Sequence, residues 1–218
     1  MITVDPAQGK ENAAAGAVPP QEVLSPLLAE SASRHRHLCP RQVLGVRLGL
    51  GGLRALGLID AAWRPRFSNR RKQLLALVEL AGCGADGISV ATDCSVGART
   101  LWVQDFGKMG ATLIDVAREI AVRVSPRTGV RDLALVYAPG ARSRWQAYLE
   151  AYQVMPDEVL LQVQPVRLHR PVAEILSRPG VRVECDRCGE EIINEREVLR
   201  DGETLCRACA GGCYYDLL

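Results

Sequence analysis

Aromatic side chains are scarce in this chain: three Trp, five Tyr and two Phe come to 5% of 218 residues. A core therefore has to be assembled from aliphatic side chains, and a hydrophobic fraction of 48% supplies them. Lysine is rarer still. Of 27 basic residues only Lys10, Lys72 and Lys108 are lysines, which confines lysine-dependent chemistry to three positions. A large charge of one sign is lacking too: a formal net charge of +2 gives no global field that would make nucleic acid or an anionic membrane the default partner. No apolar run approaches the roughly 20 residues that span a bilayer, because Arg47, Arg54 and Asp60 break the best candidate. The N-terminal stretch lacks the basic start and apolar centre of a secretion signal, so a cytoplasmic location is expected. Neither a dinucleotide-binding fingerprint nor a ferredoxin-like cysteine run is present, which removes two classes of redox enzyme.

What the chain does contain is unevenly distributed. Residues 1–20, alanine-rich and closed by Pro19-Pro20, read as a flexible tail; 21–180 read as a core domain, and 181–218 as a small separate module. Val23, Leu24, Leu27 and Leu28 fall on one face of a helix over 21–33. A second helix is expected over 41–56, where Gly45, Gly49, Gly51 and Gly52 lower intrinsic stability but permit close backbone packing. A strand follows over 73–81 and a short helix over 84–91. Two strands within 99–116, joined by a turn at Asp105-Phe106-Gly107-Lys108, come next, and 120–124 extends the second of them. A helix over 142–153 and a strand over 160–168 complete the core. This irregular order predicts an α+β fold with a mixed or antiparallel sheet, packed helices, and a small C-terminal four-cysteine zinc module.

Five of the eight cysteines (Cys185, Cys188, Cys206, Cys209 and Cys213) lie in the last 34 residues. Cys185-x2-Cys188 and Cys206-x2-Cys209 are separated by 17 residues, with Asp201-Gly202 placed for a hairpin turn between them. Two tight turns at that spacing present four thiolates to one tetrahedral ion, the pattern of a structural zinc with no open position for chemistry. So short a segment cannot bury enough apolar surface to fold alone, whereas structural zinc supplies about 10–16 kcal/mol of apparent binding free energy. Cys213 reads as a spare cysteine. From Cys185 onward eight acidic residues stand against four arginines, so phosphate is repelled and the module's partner is expected to be a protein.

A second constellation, His35-Arg36-His37-Leu38-Cys39-Pro40, gathers soft-metal donors into a few positions of a chain with three histidines. Cys83 and Cys94 offer further thiols. The series His35-x-His37-x-Cys39-Pro40, Leu44-Gly45-Val46-Arg47-Leu48, Cys83-Gly84-Ala85-Asp86-Gly87-Ile88, Asp93-Cys94-Ser95-x-Gly97 and Gly107-Lys108 resembles, in order, the FmdE family, which takes its name from a component of formylmethanofuran dehydrogenase. The tail, from Cys185 through Cys188-Gly189-Glu190 and Cys206-x2-Cys209 to Tyr214-Tyr215, is similar to the zinc module that many members append.

The resemblance implies an α+β core that forms a homodimer, with a cleft where the His/Cys motif meets the second cysteine motif and the Gly-Lys turn. A second metal ion is expected there, with His35, His37, Cys39, Cys83 and Cys94 as candidate ligands and Asp86 and Lys108 beside them. Arg36 and Arg41 depart from the family's glycines, Ser89 from its glutamine, and Asp93-Cys94-Ser95 from its Gly-Cys-Thr. Three functions compete. The first is a metal-binding accessory protein of one-carbon or molybdenum/tungsten enzyme metabolism. The second is a thiol-dependent enzyme or sulfur carrier using Cys39 or Cys94, with Lys108 nearby. The third is a protein- or RNA-binding module built on the basic loop 62–72, which carries five cations and two aromatics without an acid.

Overall fold

The computed structural model describes residues 17–216, which divide into two compact units between Leu168 and His169. The first unit opens with α1 (Gln21–Ser33) and α2 (Pro40–Ala55). Pro40 occupies the first turn of α2, where its missing N–H costs no hydrogen bond, and the Gln42 side chain reaches back to accept from the Cys39 N–H at 2.8 Å. β1 (Leu74–Val78), α3 (Cys83–Thr92), β2 (Leu101–Val103), β3 (Ala111–Asp115) and β4 (Ile120–Pro126) follow. Three helices, α4 (Val130–Tyr137), α5 (Arg144–Val154) and α6 (Asp157–Leu160), lead into β5 (Leu161–Val166). The sheet order is β2-β1-β3-β4-β5; β1 and β2 are parallel and every other pair is antiparallel.

α2 is the centre of this unit, and its glycines explain how. A Cβ on Gly52 would lie 2.4 Å from Leu113 of β3, and one on Gly51 would lie 2.5 Å from Leu161 of β5, so this face rests directly on the sheet. On the opposite side a Cβ on Gly45 would sit 2.2 Å from the Gly84 carbonyl oxygen, and one on Gly49 would sit 2.7 Å from Ala91. α2 and α3 thus run side by side in the same sense, with backbone against backbone. Arg47, fully buried on α2, donates to the carbonyls of Tyr152 and Met155, both at 2.6 Å, and to Asp157 at 2.8 Å. It thereby satisfies carbonyls that the end of α5 leaves without helical partners. Burial lowers the Arg47 pKa and raises that of Asp157, with their mutual attraction opposing both shifts.

Several elements differ from expectation for physical reasons. The strands over 101–103 and 111–115 form, but β1 lies between them. The connection is therefore not a hairpin: residues 104–110 wrap the end of β1, with Phe106 and Lys108 N–H groups both donating to the Glu79 carbonyl. Residues 120–126 form a separate strand, reached through a turn with Glu119 at φ 54°. Of the expected flexible tail, residues 1–16 lie outside the described residues. Residues 17–20 are packed, since Ala17 joins the core and its carbonyl accepts from the Asp157 N–H at 2.9 Å.

The second unit holds α7 (Val172–Leu176) and two hairpins, β6 (Arg182–Glu184) with β7 (Glu191–Ile193) and β8 (Val198–Arg200) with β9 (Glu203–Leu205). Asp201 and Gly202, at φ 52° and 84°, make the turn of the second hairpin, as expected. α7 stays with the hairpins because the Arg196 guanidinium donates to the carbonyls of Glu174 and Ile175. That bond explains why the unit begins at His169, ahead of the expected 181. Among the described residues no helix is long and apolar enough to cross a membrane.

Candidate functional site

The first unit contains a cleft of about 600 Å³ onto which the N-terminal ends of α2 and α3 open. Cys39, Pro40 and Arg41 come from α2 and its cap, Cys83 from the first position of α3, and Gly107 and Met109 from the loop around β1. The far wall carries Arg131 of α4 with Trp145, Tyr148 and Tyr152 of α5. Tyr148 and Tyr152 are stacked, with centroids 5.8 Å apart and rings inclined by 5°. Cys39 and Cys83 are neighbours here. Burial raises the Cys83 pKa, and the adjoining Cys39 thiol adds to the shift, so Cys83 is held protonated at neutral pH.

The other expected donors are arranged differently. His35 is half-buried and engages Asp86 at 2.6 Å (Nε2 to Oδ2), while His37 is exposed. Cys94 lies beyond the opposite end of α3, roughly 15 Å from Cys83 at 1.5 Å per helical residue. Its Sγ accepts from the Asn69 side chain at 3.3 Å and donates to the Leu74 carbonyl at 3.6 Å, and burial pushes its pKa up to about 11. That is the opposite of what a nucleophile needs at neutral pH. Lys108 is exposed and tied to Glu79 only through its backbone, although Gly107 and Met109 on either side line the cleft. Arg36 and Arg41 are both exposed, and Ser89 accepts from Arg34 at 2.8 Å. The basic loop is anchored by the buried Asn69 and Trp63, the latter under the Arg54 guanidinium at 5.2 Å, and leaves Arg64, Arg66, Arg70 and Arg71 exposed.

Arg131 and the aromatic wall are not marked by any of the sequence motifs, and by pattern alone Trp145 and Tyr152 read as core. Tyr152 is buried, but Trp145 is 49% exposed. Trp145, Tyr148 and Tyr152 are spaced i, i+3, i+7, so one helical face marked in aromatics was the available signal.

In the second unit Cys185, Cys188, Cys206 and Cys209 bring their sulfurs within 4.8 Å of one another. Among the described residues this is the one group of three or more His, Cys, Asp or Glu side chains so placed. Cys185 and Cys188 flank the turn after β6, and Cys206 and Cys209 the turn after β9. The Cys206 N–H donates to the Cys185 sulfur at 3.2 Å and the Cys209 N–H to the Cys206 sulfur at 3.4 Å. The two turns are strapped together by Asp186 and Thr204, which exchange bonds of 2.9 and 2.6 Å, and by Arg187 with Glu203 at 2.7 Å. Tetrahedral coordination with metal–sulfur bonds of about 2.3 Å sets sulfurs about 3.8 Å apart; Cys188 and Cys206 stand at 3.9 Å. Backbone donors from Cys188 and Cys206 pull the Cys185 thiol down, while the Cys206 side chain pushes Cys209 up. Four thiolates so crowded need a cation among them, and this donor set fits one metal ion.

Comparisons with known proteins agree with this architecture. The family model described as FmdE, molybdenum formylmethanofuran dehydrogenase operon, matches residues 34–162, which include the motifs at Cys39, Cys83, Cys94 and Gly107. A relative from Archaeoglobus fulgidus named a probable S-adenosyl-L-methionine-binding protein is 28% identical over 89% of this chain. The chain spans 55% of that relative's length. The crystal structure of an FmdE-like protein of tungsten formylmethanofuran dehydrogenase from Syntrophus aciditrophicus has the same fold, with a TM-score of 0.56 and 20% identity. The likeness covers 88% of this chain and 94% of that one. With more than half of its length matched by the family model, and with cleft and four-cysteine module in place, the chain belongs to the FmdE family.

Proposed function

We propose that this protein is a metal-binding accessory protein of molybdenum or tungsten formylmethanofuran dehydrogenase metabolism, with a structural zinc in its tail and a ligand-binding cleft in its core. The observation that carries the metal reading is the convergence of four cysteine sulfurs within 4.8 Å. Zinc suits an all-thiolate tetrahedral site with no vacancy. The accessory role rests on the family match and on the absence of sequence signatures for the redox chemistry itself. Its setting is the cytoplasm, its form a homodimer, and the acidic tail unit contacts a protein partner. The cleft supplies two thiols, while His35 is committed to Asp86; this falls short of the three protein donors an open metal site uses, so the metal is assigned to the tail. Elemental analysis should find one zinc per chain, lost in the Cys185→Ser/Cys188→Ser variant. Immobilised formylmethanofuran dehydrogenase subunits should retain the intact protein; absence of both zinc and retention would overturn the reading.

The buried, proton-holding thiol of Cys94 weighs against the thiol-enzyme alternative. A further reading takes its cue from the Archaeoglobus fulgidus relative: the Trp145 and Tyr148 wall suits an adenine ring, so the cleft would hold S-adenosylmethionine. The arginines of the same cleft weigh against a ligand bearing a sulfonium cation. Calorimetric titration with S-adenosylmethionine decides this directly, and weak binding or none is expected.

A further inference from the structure

The cleft continues into a second hollow of about 420 Å³, with Pro126, Val130, Arg131 and Tyr148 common to both. Four arginines line the joined groove, Arg41, Arg127, Arg131 and Arg144, against a single acidic residue, Asp132. All four are exposed, and no side-chain hydrogen bond or ion pair holds any of them among the described residues. This is unusual within the molecule. Arg34, Arg47, Arg118, Arg123, Arg178, Arg182 and Arg187 all have carboxylate partners. The groove also holds flat apolar surface: Trp145, half-exposed, and the stacked Tyr148 and Tyr152. Arg131 lies within electrostatic reach of the Tyr152 hydroxyl, which places guanidinium and ring side by side.

We propose that this groove binds a nucleoside phosphate, its base against Trp145 and Tyr148 and its phosphates between Arg41, Arg131, Arg127 and Arg144. The main cleft, at about 600 Å³, falls within the range of roughly 300–1,000 Å³ usual for small-molecule sites. Guanidinium forks match phosphate oxygens bidentately, and four unpaired cations call for a multiply charged anion rather than a lone carboxylate. The N-terminal ends of α2 and α3, sixteen and ten residues long, open on the same cleft and add positive potential. Arg41 stands where the family has glycine, so this chain brings its own cation to the mouth. The inference rests on the cleft being the working site of the core, and it is independent of the tail metal.

Calorimetric titration of the full chain with ADP, beside adenosine and inorganic pyrophosphate, tests it. ADP should bind and quench Trp145 fluorescence, with adenosine and pyrophosphate each at least about tenfold weaker. Each of Arg131→Gln and Arg41→Gln should weaken ADP about tenfold or more, the loss of one charge-assisted contact. Both replace exposed side chains, and an unchanged circular dichroism spectrum confirms folding. Arg66→Gln, in the exposed loop outside the groove, should leave affinity unchanged. No ADP binding at millimolar concentration, or equal affinity in the Arg131 and Arg41 variants, overturns the proposal; pyrophosphate binding as tightly as ADP overturns the role of the aromatic wall. Nucleotide binding that survives in the zinc-free Cys185→Ser/Cys188→Ser variant separates this result from the metal reading.

Discussion

At the residue scale, two buried polar groups are governed by desolvation, with opposite consequences. The Cys94 thiol sits in a site that stabilises its neutral form, its pKa raised from 9.0 to about 11. Because the folded pKa exceeds the unfolded one, that contribution is complete below pH 9 and is lost as pH rises towards 11. Wild-type stability in urea should therefore fall across that interval, and Cys94→Ala should lessen the fall. At pH 8, iodoacetamide should leave Cys94 unmodified until the chain is unfolded in guanidinium, whereas labelling of the native protein at the unfolded rate would contradict the burial. Arg47 is the other case. Burial weakens both it and Asp157 as charges, yet the guanidinium is what satisfies two carbonyls and a carboxylate at the end of α5. Arg47→Met should cost about 3–5 kcal/mol in chemical denaturation, because the buried aspartate is left without its partner.

At the scale of elements, the contact of α2 with α3 decides where the cleft thiols stand. Cys39 and Cys83 meet because two helices starting at the same end approach backbone to backbone across Gly45, Gly84 and Gly87. A Cβ at Gly87 would lie 2.4 Å from the Gln42 carbonyl oxygen and 2.8 Å from the Val46 nitrogen, neither of which can move aside. Gly45→Ala or Gly87→Ala should thus cost about 3 kcal/mol, the upper end for overpacking, or about 6–12 °C in Tm. Gly97→Ala, with open space around the site, should change little. These glycines were legible in the sequence as a spacing, as were α1, α2, α3, α5 and the buried strand β1, because their apolar periods are local. The order of the sheet was not legible: nothing in the residues of β2 and β3 states that β1 intervenes, since strand pairing joins residues distant in the chain. α4 was missed because Leu133, Leu135, Val136 and Tyr137 are apolar yet exposed, which erases the contrast between faces that marks a helix.

At the scale of the whole molecule, the two units obtain their stability differently. The first is built on a large aliphatic cluster, whereas the hairpins of the second gather only Cys185, Ile192 and Leu205 as a buried cluster. So small a core makes metal binding and folding one event, and for that reason the four-cysteine site was readable from spacing alone while the cleft was not. A tetrahedral thiolate site needs four residues at fixed separations; a groove assembled from α2, α3, α4 and α5 depends on packing that no local motif encodes. A strong chelator should abolish protection from hydrogen exchange in residues 182–209 and leave that of β1, β3 and β4 unchanged. The most direct test of a tail held by metal and a core that folds without it is zinc content measured together with hydrogen exchange, in the wild type and the Cys185→Ser/Cys188→Ser variant. One zinc per wild-type chain, none in the variant, and native protection of the 17–168 unit in both are the expected results. A variant that keeps its zinc, or that loses protection throughout the first unit, would contradict this division.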